Sequence, residues 1–363
     1  MIRRATAALV MVGAAAILAA AAPGDAPRAP FELVFEWTVD GNQDLYVVGA
    51  QGGAPRRLTT DAHVDALPRW SADGESVFFT SDRSGNWQVY SVPAAGGAAR
   101  RVRDNRDREW QVEPSPDGRA LALLSNKEGP ESLYVMDLAR GQDRRLVRHG
   151  RRTGLGNPSW SRDARRIVFS TNWAKGFGIH IVDAETGEER PLTKAHPTGC
   201  EPRFHPDGRR VVYVHRGGQG DKSQIVEHDL ASGREKVLVG WPALNYNPAY
   251  SPDGSEIAFT SNLTGEWVVY RQRLSDGHAW RVTFGGGPAR GPDYRPRRGQ
   301  VRQNRGPPSG GPHDVPPVSG HRDPRPRRRV RVRAAIAEAE EDPGHSAARR
   351  TRGAGRTRRT RHA

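Results

Sequence analysis

The sequence predicts an all-β fold, a six-bladed β-propeller of four-stranded antiparallel blades, and three observations predict it. First, one unit of strand, Pro-Asp-Gly type turn and strand recurs along the chain. Its turn aspartates, Asp73, Asp117, Asp163, Asp207 and Asp253, are separated by 44, 46, 44 and 46 residues. Second, short runs of β-branched and aromatic residues bounded by turns recur, as in strands buried on both faces. Third, no segment keeps a sustained helical period. Only 36% of the 363 residues are hydrophobic and 7% aromatic, enough for a core only if they fall in a regular pattern. A mean hydropathy of −0.73 excludes a multi-span membrane protein.

In chain order, residues 1–22 (MIRRATAALVMVGAAAILAAAA) come first. They carry Arg3 and Arg4, an apolar run of small residues, and alanines before Pro23. This is the layout of a cleaved secretory signal peptide, with export to the periplasm or beyond. Uncleaved, a run of this length would be at the lower limit for a membrane span. Residues 23–30 read as a linker. The repeat region is 31–296, with units near 31–66, 67–110, 111–156, 157–200, 201–246 and 247–290, and a lone strand at 290–295.

Each unit has one plan. A proline (Pro68, Pro158, Pro202, Pro248, Pro292) stands two residues before an aromatic (Trp70, Trp160, Phe204, Tyr250, Tyr294); the unit at 111 carries Val112 and Pro114 there. A turn of the Ser-Pro-Asp-Gly kind follows, in which Asp bonds its own backbone and Gly takes a positive φ. The second strand is apolar (Val77-Phe78-Phe79, Ile167-Val168-Phe169, Ile257-Ala258-Phe259). A Gly/Asn turn leads to a third, such as Leu133-Tyr134-Val135-Met136. A fourth ends in Leu58-Thr59, Leu192-Thr193 or Val282-Thr283. One blade cannot cover its own two faces, so blades must stack in a ring, and closing the ring leaves only short edges.

The segments PSWSRDARRIVFST, PAYSPDGSEIAFTS and ESLYVMDLARG resemble the TolB-type propeller repeat across residues 31–296. That repeat occurs in the periplasmic TolB protein of the Tol–Pal system, in many exported TolB-like proteins and in the propellers of prolyl-oligopeptidase-like enzymes. The resemblance is specific for fold and weak for function. TolB itself carries an α/β domain before its propeller, whereas here Phe31-Glu32-Leu33-Val34-Phe35 follows the signal directly. The first unit lacks its first strand, and Arg290–Tyr294 is a first strand without a unit. The expectation is that the latter completes the former and closes a six-bladed ring.

The net charge of +15 is localised. Residues 297–363 hold 18 Arg, no Lys and 6 acids, so the remainder carries only +3. This tail has no aromatic residue and is expected to be disordered. Three readings compete for it: a basic arm, an inert extension, or an altered reading frame. Arg295-Pro296-Arg297-Arg298-Gly299 stands where the repeat demands Arg-Pro-Asp-Gly, and one inserted base would produce that change. An intact frame would then extend into a seventh blade or a further domain.

There is no Gly-x-Ser-x-Gly elbow, His-Glu-x-x-His, P-loop or dinucleotide fingerprint. With Cys200 as the single cysteine, no internal disulfide is possible. No cofactor and no metal site are expected. The turn aspartates recur in every complete unit and read as turn formers. Cys200, in a loop just before Glu201, is given no role. The residues before the repeat prolines, Asn157, Glu201 and Asn247, and Gln111 before Val112, are the candidate ligand residues. The resemblance makes the following strand the innermost, which would gather these side chains at the channel mouth. The alternative is that they cap strands or bond loop backbone. Trp87, Trp110, Trp173 and Trp267 read as packing residues that could also meet a peptide or sugar. The leading expectation is an exported, monomeric, non-catalytic scaffold that binds no nucleic acid. It would bind an envelope protein or a small ligand on its loop face. The alternatives are the propeller of a prolyl-oligopeptidase-like peptidase and a carbohydrate-active propeller of the oligouronide lyase type.

Overall fold

The structure, a computed structural model, describes residues 31–49, 53–150, 153–173, 176–193, 199–217 and 222–297. The expected signal peptide, the linker and the tail from 298 onward lie outside these residues. The described residues form strands β1 to β24 in six four-stranded antiparallel sheets. No helix among them is long and apolar enough to cross a membrane.

Blade 1 is β24 (Ala289–Tyr294), β1 (Leu33–Val39), β2 (Asn42–Val48) and β3 (Arg56–Arg57). Blade 2 starts at β4 (Asp65–Trp70), blade 3 at β8 (Glu109–Pro114), blade 4 at β12 (Gly154–Trp160), blade 5 at β16 (Gly199–Phe204) and blade 6 at β20 (Asn245–Tyr250). These first strands are the inner ones. Each lies against the next, and β24 lies against both β20 and β4, so the circle has no gap. Closure joins the two ends of the repeat region: Leu33 stands opposite Tyr294, and the Arg295 N–H donates to the Glu32 carbonyl at 2.9 Å.

The apolar runs explain the ring. In β17 (Arg210–Arg216), Val211 packs toward blade 4 and Val212 toward blade 6, and both are fully buried. Side chains alternate across a strand, so a continuous apolar run serves two interfaces. The core is accordingly divided into six clusters, one between each pair of neighbouring blades. The turns behave alike. Asp73, Asp117 and Asp253 each accept from a serine hydroxyl two residues earlier, at 2.6, 2.7 and 2.8 Å, and from a backbone N–H two residues later. Asp163 repeats this with Ser161. Asp207 has His205 in the serine's place.

The structure also explains the Leu-Thr signature. The fourth strands β3, β15 (Glu189–Pro191) and β23 (Ala279–Arg281) stop just short of it. There the Leu58, Leu192 and Val282 amides still bond the third strand. The hydroxyls of Thr59, Thr193 and Thr283 accept from the same third-strand residues, Leu45, Ile179 and Val269, at 3.0, 3.1 and 3.2 Å.

Candidate functional site

Every inner strand carries a β-bulge, and these strands begin one to three residues ahead of the unit boundaries expected from sequence. Pairing shifts between Ala66 and Arg69, Trp110 and Glu113, Gly156 and Ser159, Cys200 and Arg203, and Tyr246 and Ala249. In blade 1 it shifts opposite Gly291. The bulged residue has a positive φ each time: 55° at Leu67, 52° at Gln111, Asn157 and Asn247, 55° at Glu201, and 61° at Gly291. A bulge re-aims a side chain and increases local twist. All four sequence candidates, Gln111, Asn157, Glu201 and Asn247, therefore occupy one structural position around the channel, half-buried. Cys200 lies within β16 rather than in a loop, and burial pushes its thiol up to about 12.

Two of the four are also clasps between blades. Gln111 Oε1 accepts from the Asn157 N–H at 2.7 Å, and Glu201 Oε2 accepts from the Asn247 N–H. At the closing junction Gly291 has no side chain to do this. Glu36 of β1 supplies the carboxylate instead, accepting from the Leu67 N–H at 2.9 Å. Burial raises the carboxyls of Glu201 and Glu36 above the usual range, against the pull of those hydrogen bonds and nearby arginines. Asn157 Oδ1 lies 3.5 Å from the Ser170 hydroxyl. The amide nitrogens of Gln111, Asn157 and Asn247 make no hydrogen bond among the described residues.

Two residues further along each inner strand lies a second circle: Arg69, Glu113, Ser159, Arg203, Ala249 and Asp293. Glu113 Oε2 accepts from Arg69 Nε at 2.9 Å and from Arg203 Nη1 at 2.6 Å. Arg203 belongs to blade 5 and Glu113 to blade 3, so this bond spans the axis, past the small Ser159 of blade 4. Asp293 accepts from the Trp70 N–H at 2.9 Å, and Ser159 in the same way from the Phe204 N–H at 3.2 Å. Burial raises the Asp293 carboxyl, against Arg69 and Arg203. Burial and Arg203 lower Arg69, while Glu113 and Asp293 outweigh burial at Arg203. The channel is thus held by paired charges, with amides above them. Sequence reasoning missed this circle and Glu36. The available signal was the position two residues beyond the candidate position, which is charged in four of the six units (Arg69, Glu113, Arg203 and Asp293) and carries both signs.

Away from the axis, Glu189 accepts from His180 at 2.6 Å and from His149 at 3.0 Å, and these contacts overcome burial to hold its carboxyl at about 2. A cleft of about 430 Å³ between blades 4 and 5 is lined by Tyr213, His215, His228 and Glu235. Among the described residues, no three His, Cys, Asp or Glu side chains come together as ligands for a metal ion.

The chain is 26% identical to the Tol-Pal system protein TolB of Francisella tularensis subsp. mediasiatica (strain FSC147), over 36% of this chain and 41% of that protein. It is 27% identical to the uncharacterized peptidase YuxL of Bacillus subtilis (strain 168), over 32% of this chain and 23% of that one. The chain thus spans well under half the length of these two relatives. The crystal structure of TolB from Acinetobacter baumannii superposes with a TM-score of 0.65 at 16% identity, covering 75% of this chain and 68% of that one, a likeness of fold. The family profile described as "TolB beta propeller domain" matches residues 14–114, 110–239 and 155–303. These overlapping matches run across all six blades, so the chain belongs to the TolB beta propeller domain family.

Proposed function

We propose that this chain is an exported, non-catalytic propeller that binds a protein or a small ligand at its channel mouth, in the periplasm or cell envelope. The relationship to a Tol-Pal system protein supports the envelope setting. One observation supports the binding reading: three amide side chains, on Gln111, Asn157 and Asn247, occupy the same bulge position on inner strands around the axis with their donors uncommitted. Such groups in a concavity are the usual makings of a ligand site. Glu201 contributes a carboxylate to the same ring. The Glu113–Arg203 bond crosses the axis two residues further along the inner strands, and on this reading the ligand sits on the amide side of it. No cofactor is needed for this work, and a monomer suffices.

A photo-crosslinking residue at Asn157 or Asn247, in cells exporting the protein, is expected to trap one and the same partner. The same residue at Val237, exposed on the outer strand of blade 5, is expected not to trap it. Purified partner should then bind the wild type, and Asn247→Trp should block binding. Equal trapping from Val237 would remove the mouth from consideration. A second reading, the propeller of a longer peptidase, is favoured by the relationship to YuxL. Sequencing the transcript beyond codon 297 tests it: a Gly-x-Ser-x-Gly domain downstream would support it.

A further inference from the structure

The mouth carries more than amides. Arg216, at the end of β17, lies over the Tyr246 ring at 5.6 Å. Tyr246 packs against Trp267 at 5.9 Å, and Arg290 of β24 lies over Trp267 at 4.5 Å. These four residues come from blades 5, 6 and 1 and form one continuous ladder of guanidinium, ring, ring and guanidinium. Arg108 stacked on Trp110 at 4.1 Å repeats the device on blade 3. Both end arginines are exposed, and neither makes an ion pair within 4.0 Å among the described residues. The carboxylates that influence them, Glu201 beside Arg216 and Glu36 beside Arg290, are held by backbone amides instead.

We propose that this ladder recognises an acidic peptide segment of a partner protein, with its carboxylates on the forks of Arg216 and Arg290. The inference rests on the channel-mouth reading above. A guanidinium held over an aromatic ring loses part of its freedom, and its fork of N–H donors suits a two-pronged bond to a carboxylate. The rings add contact area at little entropic cost. An acidic sugar fits less well. It would need a flat ring face to lie on, whereas Tyr246 and Trp267 are tilted by 48° and each has a guanidinium over a face. Side-chain carboxylates on a flexible chain can reach the guanidinium edges without displacing anything.

The test uses the full chain and a short fluorescent peptide of alternating Glu and Ala. A Gln–Ala peptide and an oligogalacturonate serve as comparisons. The basic tail will attract any anion, so a control variant removes equal charge there, Arg328→Gln with Arg329→Gln. We expect Arg216→Gln with Arg290→Gln to weaken the Glu–Ala peptide roughly ten- to hundredfold, the worth of charge-assisted bonds, and the tail variant to change it far less. Arg216→Lys with Arg290→Lys keeps the charge but loses the fork, and is expected to bind almost as weakly as the Gln pair. Equal losses in the tail and ladder variants would overturn the proposal. So would full affinity in the Lys pair, or preference for oligogalacturonate. A trapped partner whose binding needs Asn247 but neither arginine would overturn the ladder and leave the channel-mouth reading standing. Matching thermal melts of all variants guard against misfolding.

Discussion

At the scale of single residues, the channel is a problem of charge in a confined space. Glu113 holds two guanidiniums, and all three side chains are largely buried, at 15% exposure for Glu113, 13% for Arg69 and 11% for Arg203. Removing the shared anion leaves two buried cations that have lost their hydrogen-bonded carboxylate, with Asp293 as the remaining carboxylate acting on both, a costly case for buried charges. Glu113→Gln is expected to lower stability by about 3 kcal/mol in urea unfolding. Glu113→Gln combined with Arg203→Met should recover part of the loss. Glu189 gives a pH prediction. Its carboxyl is held at about 2, below the ordinary 4.5, so the folded state favours its ionised form. The stability this gives is present above about pH 4.5 and fades as pH falls toward about 2. Glu189→Gln is therefore expected to be less stable than wild type near neutrality, and the two curves should converge in acid. A constant gap down to pH 2 would show that the contact with His149 and His180 does not depend on the ionised carboxylate.

At the scale of the element, strands and turns were legible because their causes are local. Apolar runs, Asp-Gly turns and Leu-Thr endings each act within a few residues. The bulge was not legible. A proline ordinarily pushes the residue before it into extended backbone, yet Leu67, Asn157, Glu201 and Asn247 all precede proline and all have positive φ. Tertiary packing around the axis sets that conformation, and nothing in the local sequence announces it at Leu67. The candidate amides were found because they precede the repeat prolines. The charged circle beside them went unread because its pairing runs between blades 3 and 5, 90 residues apart. The turn of blade 4 offers a check on element-level reasoning. The position occupied by Gly74, Gly118, Gly208 and Gly254, with φ near 70°, is Ala164 there, at φ 56°. A side chain in that region costs about 1–2 kcal/mol, and glycine's greater unfolded freedom returns roughly half of it. Ala164→Gly is expected to stabilise the protein by about 0.5–1 kcal/mol, read as a small rise in melting temperature.

At the scale of the whole molecule, stability is shared among six interfaces, and one differs in kind. Five join blades that are contiguous in the chain. The sixth includes β24, which must find β1 across nearly the whole repeat region. Tyr294 is central there: it is buried, meets Phe31 edge-on at 6.1 Å, and donates from its hydroxyl to Glu256 at 3.3 Å. Contacts within blades 2 to 6 close short loops, whereas the β24–β1 pairing of blade 1 closes the longest loop available and meets its entropic cost last. Its interactions should therefore be absent from the folding transition state. Tyr294→Ala is expected to lose about 3–5 kcal/mol, almost all of it as faster unfolding. Phe79→Ala, in the middle of blade 2 and fully buried, should remove a similar amount but slow folding as well, because its neighbours are near in sequence. Stopped-flow measurements over a range of urea separate the two. If Tyr294→Ala slows folding as much as Phe79→Ala does, the ring closes early, and β24 guides assembly instead of sealing it.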